Sequence, residues 1–275
     1  MTKRKSLSEI LPIWYKVAEK KEIIRRHMKD FIRKNSFSNS YLNDSLPNEV
    51  YRHKSKIIKT GKDIDPVLQE NKAFNIDLSS SKINGILIKP NEEFSFWKLV
   101  GKVTQKNGYK DGRVIINDKV EAGMGGGLCN LANTINLLII HSPLKITEVH
   151  FHSDALASDI GKRIPLANGT SVAYNYVDYR FKNTTNQSFQ INLNCRDKEL
   201  LATLNSEKPI SYNYKIVEEN HHFVEENGIY YRKSKIYKVT EAKESAKVLN
   251  KELILDNKSK VMFDYDLIPK EQITP

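Results

Sequence analysis

Residues 123–143 read GMGGGLCNLANTINLLIIHSP, and this stretch decides the centre of the fold. Glycine adopts positive φ angles and allows close backbone approach, so the run from Gly123 to Gly127 predicts a tight turn. From Leu128 onward the apolar residues recur at helical spacing until Pro143, which cannot continue a helix. The stretch therefore predicts a glycine-rich turn that leads into a buried helix.

The chain after this helix changes to the pattern of β-strands. Apolar runs between turn residues predict strands at 146–151, 171–181, 188–193, 199–204, 212–217, 229–239 and 248–255. Before the glycine run, a strand is predicted from Ile83 to Ile88, or from Ile86 if Asn84-Gly85 interrupts it, and the aromatic cluster Phe94-Ser95-Phe96-Trp97 is expected to anchor the core. Helices followed by mostly antiparallel strands, with one central buried helix, define an α+β fold.

The first 62 residues are predicted to form a basic helical extension, and residues 63–275 one α+β domain. Apolar residues in the extension recur at roughly helical spacing, namely Ile10, Trp14, Val17, Ile24, Met28 and Phe31. We expect this apolar face to pack against the domain. A basic amphipathic helix of this kind is also able to lie on a membrane surface.

The formal net charge is +11, and the cations concentrate before Lys62. This charge favours anionic partners such as an anionic membrane surface or a cell-wall peptide or precursor. Nucleic acid is not favoured, because no helix-turn-helix, zinc-finger or RNP-like pattern is present. The N-terminal residues lack the apolar run of a signal peptide, and no stretch approaches the ~20 apolar residues of a membrane span. We therefore expect a cytoplasmic location.

Cys129 is the predicted centre of any chemistry. Unpaired N–H groups at a helix N-terminus favour negative charge, which should lower the pKa of a thiol placed there. The backbone around Gly125, Gly126, Gly127 and Asn130 is also a candidate oxyanion hole for acyl transfer. No cofactor is predicted, because the glycine run lacks the Lys-Ser/Thr of a P-loop and the spacing of a dinucleotide fold.

His150 and His152 follow on the next predicted strand. Residues two apart on a strand point to the same face, so either imidazole is a candidate base for the Cys129 thiol. Asp154, Asp178 or a backbone carbonyl would orient that imidazole. The competing interpretations are a structural cysteine with satisfied histidines, and a zinc site formed by the cysteine and both histidines.

The resemblance to a known family rests on motifs that follow one another in order along the chain. They are Phe94-Ser95-Phe96-Trp97, Gly101, Gly108-Tyr109, Gly125 to Cys129, Glu148, His150, His152-Ser153, Tyr174 to Asp178 and Lys182 to Thr185. Together these motifs resemble the VanW family, which is named for an accessory protein of B-type vancomycin resistance clusters. The resemblance runs from about Arg52 to about Tyr212 and favours the stand-alone members of the family.

This resemblance implies a link to glycopeptide resistance or peptidoglycan metabolism. Some secreted relatives are described as L,D-transpeptidases, which would make Cys129 the nucleophile and His152 the base, with His150 as the other candidate. A non-catalytic accessory or binding role is the alternative that the resemblance leaves open. The chain departs from the family pattern at Asn130, where Gln is usual, and at Gly169, where many members carry Asp.

Overall fold

The structure is a computed structural model that describes residues 12–33, 36–58, 64–116, 119–155, 158, 165–166, 169–174 and 176–274. Within these residues the α-helices are α1 Pro12–Ile32, α2 Pro66–Ile83, α3 Phe96–Val100 and α4 Leu128–Ile140. Short 3₁₀ helices cover Gln105–Asn107, Tyr265–Leu267 and Lys270–Gln272. None of these helices is both long enough and apolar enough to cross a membrane.

The strands pair mainly antiparallel, which confirms the predicted α+β class. They are β1 Ser40–Tyr41, β2 Asn48–Lys56, β3 Ile86–Ile88, β4 Glu93–Ser95, β5 Asp111–Ile116, β6 Lys119–Met124, β7 Lys145–Glu148, β8 Asp154–Ala155, β9 Arg180–Lys182, β10 Phe189–Arg196, β11 Glu199–Ser206, β12 Tyr212–Glu226, β13 Ile229–Ala242, β14 Val248–Val261 and β15 Ile273–Thr274. The strands predicted after residue 186 are confirmed. Of the stretch predicted at 83–88, only the shorter alternative Ile86–Ile88 is a strand, because Ile83 ends α2.

The central sheet has the order β1-β3-β10-β11-β2, and α2 and α4 pack on it. The main core lies between these layers and includes the fully buried Ile76, Leu131, Ile191 and Leu204. Strands β1 and β2 belong to this sheet, so residues within 40–56 complete it. The division of the chain at residue 62 stays a prediction.

The remaining strands form three further sheets. Strands β12, β13 and β14 build a long antiparallel sheet to which β15 and β8 add at the ends, and β4, β9 and β7 build a smaller sheet. The β5–β6 hairpin leads directly into the glycine run. The aromatic cluster is buried as expected, because Phe94 and Phe96 have no exposed surface and Trp97 is 4% exposed.

The single strand predicted at 171–181 is wrong. Ala173 and Val177 exchange both backbone hydrogen bonds, so the chain reverses between them, and only Arg180–Lys182 is a strand. The apolar side chains that suggested a strand at 171–181 instead pack on the core from this reversal of the chain. Asn175 in that turn lies outside the described residues.

The expectation that the apolar face of α1 packs on the domain is also wrong. Val17, Ile24, Met28 and Phe31 are between 51% and 85% exposed, and the polar side of the helix faces the domain instead. The physical reason is that charged side chains on the polar side of α1 form ion pairs with two charged residues of the domain.

Candidate functional site

The glycine run fits between α2 and β5. Gly125 and Gly127 have φ angles of 73° and 109°, a region that favours glycine. A Cβ on Gly126 would lie 2.3 Å from the carbonyl carbon of Gly112 on β5. The buried Asn75 of α2 donates to the Gly126 carbonyl oxygen at 3.1 Å. The run is therefore needed to bring the start of α4 against its neighbours.

Cys129 is the second residue of α4, and its thiol donates to the Val172 carbonyl oxygen at 3.7 Å. Part of its surface reaches solvent, but the side chain packs against the main core. Burial raises the pKa of the Cys129 thiol, and backbone hydrogen bonds at Val172 and at its own amide offset this only in part. Desolvation thus outweighs the helix N-terminus, which alone should lower the pKa.

We expect iodoacetamide to alkylate Cys129 slowly at neutral pH, because only the thiolate reacts. The rate should still rise with pH above ~8.5, the value for a free thiol. Peptide mass spectrometry of time points across a pH series measures this rate for each cysteine. Cys195 is the internal control, because burial raises its pKa to about 11. A rate plateau for Cys129 below neutral pH would contradict the expectation.

His150 and His152 lie beside the segment that contacts Cys129. The Ser171 N–H donates to the His150 carbonyl at 2.7 Å, and the His152 N–H donates to the Gly169 carbonyl at 2.7 Å. The next residue, Val172, accepts the thiol hydrogen bond. The histidines were predicted on a strand, but that strand ends at Glu148 and only Phe151 makes an isolated bridge, to Thr170. The structure nevertheless brings the cysteine and the histidine-bearing residues 150–152 to one segment, residues 169–172.

The two imidazoles have other partners. His150 Nε2 lies 3.1 Å from Glu148 Oε1. Burial lowers the pKa of His152, although the charge of Asp154 and a hydrogen bond with the Thr170 backbone act in the opposite direction. Across the described part of the chain, no hydrogen bond joins either imidazole to the Cys129 sulfur.

Asp178 is fully buried in a network that holds α1 and α3. Its carboxylate accepts hydrogen bonds from Ser95 Oγ at 2.6 Å, from Arg180 Nε at 2.7 Å, and from the N–H groups of Trp97 and Tyr179. Four donors occupy most of the acceptor capacity of a carboxylate. The hydrogen-bond partners of Asp178 therefore belong to the packing of the fold. Its role in orienting an imidazole stays a prediction.

The same network joins α1 to the domain. Arg180 donates to both carboxylate oxygens of Asp30 at 2.6 and 3.0 Å, and Arg26 donates to both oxygens of Glu148 at 2.6 and 2.7 Å. A buried guanidinium or carboxylate requires such a partner, which explains why α1 turns its polar side inward. Lys98 adds a third cation, 3.6 Å from Asp30.

These ion pairs make the attachment of α1 sensitive to acid. Burial alone would raise the pKa of Asp30 and Glu148, but hydrogen bonds and charges of Arg180 and Arg26 respectively lower both values on balance. A lowered folded-state pKa contributes stability above the unfolded value of about 4. That stability is lost as the pH falls through the lower folded-state pKa.

Asn133 is a site residue that the sequence analysis missed. It lies one helical turn after Cys129, and its Oδ1 accepts hydrogen bonds from the Gly169 N–H, the Thr170 N–H and Thr170 Oγ1 at 2.9–3.2 Å. It therefore fixes the segment that touches the Cys129 sulfur. The available signal was a polar residue four positions after the cysteine in a helix that also carries Asn130, Thr134 and Asn136 among apolar residues.

Asn130, where the family pattern has Gln, places its Oδ1 in the interior. This atom is buried and has no hydrogen-bond partner within the described residues. Ala167 and Asn168, next to the Gly169 departure, lie outside those residues. Gly169 itself contributes only backbone groups to the contacts with His152 and Asn133.

The described residues at the predicted centre form no metal site. Among the described residues, no three His, Cys, Asp or Glu side chains are grouped to hold a metal, so the zinc interpretation of the cysteine and histidines lacks support. A cavity of about 400 Å³ lies elsewhere and is lined by both charge signs, including Glu70, Asp77, Lys110 and Lys198. The predicted site residues do not line it.

Comparison with known proteins finds, over most of the chain, the family that the sequence motifs resemble. Residues 71–205, which contain every predicted site residue, match the family model described as VanW like protein. The chain is 27% identical over 226 residues to the vancomycin B-type resistance protein VanW of Enterococcus faecalis (strain ATCC 700802 / V583), with 80% of each chain covered. It is 28% identical over 142 residues to the protein YoaR of Bacillus subtilis (strain 168), which covers 52% of this chain and 45% of YoaR. No solved structure matches significantly.

Proposed function

Since the chain belongs to the VanW family, we propose that it is a non-catalytic accessory protein of glycopeptide resistance or cell-wall peptide metabolism. Its relative in Enterococcus faecalis is named a vancomycin B-type resistance protein. The observation that carries the non-catalytic role is the environment of Cys129. The thiol donates to a backbone carbonyl, and burial raises its pKa.

A cysteine nucleophile requires a thiolate and a base or imidazolium beside it. The lowered pKa of His152 disfavours a standing thiolate–imidazolium pair, although it keeps the imidazole in the neutral form that a general base needs. His150 is held by Glu148, whose carboxylate is already engaged by Arg26. The protonated thiol and the engaged His150 are therefore the observations that oppose catalysis.

The ligand that we propose for this accessory role is a cell-wall peptide or precursor. The cavity beside α2 supports this proposal, because it combines acidic and basic side chains with the ring of Phe74. A peptide with free termini presents both charges to such a lining, and the volume is in the range of small-ligand sites. For a cytoplasmic protein, as the sequence predicts, the ligand would be a precursor or recycled muropeptide.

A second candidate is cysteine-dependent acyl transfer of the L,D-transpeptidase kind, with Cys129 as nucleophile and His152 as base. It is favoured by one observation: residues 169–172 contact both the Cys129 sulfur and the segment 150–152 that carries His152. Asp154 also acts on the His152 imidazole through its charge. This candidate requires the sulfur to leave the Val172 carbonyl and face the imidazole.

The two candidates are separated by incubating the purified chain with a disaccharide-tetrapeptide. Calorimetry measures binding, and mass spectrometry detects an exchanged or released terminal D-residue. We expect wild type and Cys129→Ser to bind equally and to form no product. Cys195→Ser is the matched control, because it removes the other thiol of the chain.

Product formed by wild type and lost in Cys129→Ser would overturn the non-catalytic role and support acyl transfer. Absence of binding by both proteins would reject the peptide ligand. In a glycopeptide-resistant host that depends on this chain, Cys129→Ser should leave the resistance level unchanged. A loss of resistance with normal protein abundance would contradict the accessory role.

A further inference from the structure

Helix α1 exposes its apolar side and buries its polar side. At 3.6 residues per turn, one narrow stripe on the outward face contains Val17, Ile24, Met28, Phe31 and Ile32, which we call the apolar stripe. These five side chains are 51–85% exposed. The opposite face is partly or fully buried and contains Glu19, Glu22, Ile23, Arg26 and Asp30. This is the reverse of the usual arrangement, in which the apolar face covers the core.

Two ion pairs hold the helix in this orientation. Arg26 forms a bidentate ion pair with Glu148, and Asp30 forms one with Arg180. Arg26 and Asp30 lie one helical turn apart on the buried face. Turning the apolar stripe inward would break both pairs and leave Arg180 buried without the Asp30 carboxylate. The exposure of the stripe is therefore a property of the folded chain.

Cations surround the apolar stripe on the outward half of α1. Lys20, Lys21 and Arg25 are exposed there and Lys29 is exposed at its edge, whereas Glu19, Glu22 and Asp30 lie toward the domain. Arg25 lies 3.7 Å from Glu22. Long basic side chains bury their apolar stems beside an apolar surface and extend their charges outward. The outward half of the helix thus presents apolar groups framed by positive charge.

We propose that α1 docks the protein on an anionic membrane surface. The apolar stripe would enter the boundary between headgroups and acyl chains, and the flanking cations would lie at the level of the lipid phosphates. A second copy of the chain is a poor occupant, because two such basic faces on chains of net charge +11 repel each other. The inference goes beyond the proposed function, because it holds whether or not Cys129 is catalytic.

The test is co-flotation of the full chain with lipid vesicles. One set of vesicles is phosphatidylcholine alone, and the other contains equal parts of phosphatidylcholine and phosphatidylglycerol. We expect binding to the anionic vesicles, and this binding should weaken as salt is added. Replacing Lys20, Lys21, Arg25 and Lys29 together by Gln should weaken it on the order of 100-fold or more. Phe31→Ser with Ile32→Ser should also abolish flotation.

Matched control variants change the same chemistry elsewhere on the surface. Lys243, Lys247 and Lys270 are exposed, so their replacement by Gln tests net charge without touching α1. Val248→Ser with Leu249→Ser removes apolar side chains that are 53% and 51% exposed. Thermal unfolding followed by circular dichroism verifies that every variant folds.

Three results would overturn the proposal. The first is the absence of flotation, or equal flotation with neutral and anionic vesicles. The second is a loss of binding in the control variants as large as in the α1 variants. The third is a dimer, detected by sedimentation in the absence of lipid, that Phe31→Ser dissociates. In that case a second copy of this chain would cover the apolar stripe.

Discussion

Asp178→Ala should lower the free energy of unfolding by about 3–5 kcal/mol, the range observed when one partner of a buried ion pair is removed. The carboxylate accepts hydrogen bonds from Ser95, Arg180 and the Trp97 N–H at the start of α3. Removing it leaves these donors buried without their acceptor. The loss also weakens the position of Arg180, which holds Asp30 of α1.

Urea unfolding measured by circular dichroism gives this change. Asp44→Ala is the control, because Asp44 is exposed and the hydrogen bond that it accepts from Gln190 Nε2 is made by its backbone carbonyl, which alanine retains. We expect the control to stay within about 0.5 kcal/mol of wild type. An equally small effect for Asp178→Ala would show that the buried network does not stabilise the fold.

This prediction also bears on the catalytic interpretation of Asp178. A carboxylate that only orients a catalytic imidazole would lower turnover with little effect on stability. A carboxylate that caps α3 and pairs with Arg180 must lower stability when it is removed. The unfolding measurement therefore distinguishes the two roles without a known substrate.

The central helix could be predicted because its determinants are local. Glycines that set the turn, apolar residues at helical spacing and Pro143 all lie within one stretch of sequence, and α4 spans Leu128–Ile140 as expected. The hairpin at Arg196–Lys198 is local in the same sense, and Asp197 and Lys198 have positive φ angles of 52° and 63°. Short-range patterns of this kind need no knowledge of distant partners.

The orientation of α1 could not be predicted from the same kind of pattern. The apolar face is visible in the sequence, but the partners that decide the orientation are Glu148 and Arg180, more than 100 residues away. Two buried ion pairs outweigh the apolar stripe in fixing the helix. Pairing over such a separation depends on the tertiary fold, which helical periodicity does not contain.

The position of Cys129 in the fold was predicted, but the electrostatic environment of its thiol was not. The sequence places Cys129 at the start of a helix, and the structure confirms that position. The dipole of the helix predicts a lowered thiol pKa, whereas the packing of segment 169–172 against the sulfur raises it through burial. Asn133, which fixes that segment, acts through residues 36 and 37 positions away.

Gly126→Ala should destabilise the chain by about 3 kcal/mol or more, at the upper end for overpacking in a dense interior. The added Cβ would lie 2.3 Å from the Gly112 carbonyl carbon and 2.7 Å from the Arg113 nitrogen. Both contacts involve backbone atoms, so no flexible side chain can move aside. The glycine run and β5 would have to separate, and the start of α4 would move with them.

The matched control is Gly228→Ala, in the turn between β12 and β13. Gly228 differs from Gly126 in that it has a positive φ, of 76°, and a Cβ there would meet nothing within 4 Å. Its substitution should cost only the backbone strain of about 1–2 kcal/mol. Urea unfolding compares the two variants, and a loss for Gly126→Ala no larger than that of the control would show that the close approach of Gly126 to Gly112 is not what requires glycine. Because Gly126 has an ordinary φ, its loss contains no such strain and reports the steric contact that fixes where α4 begins, and with it the position of Cys129.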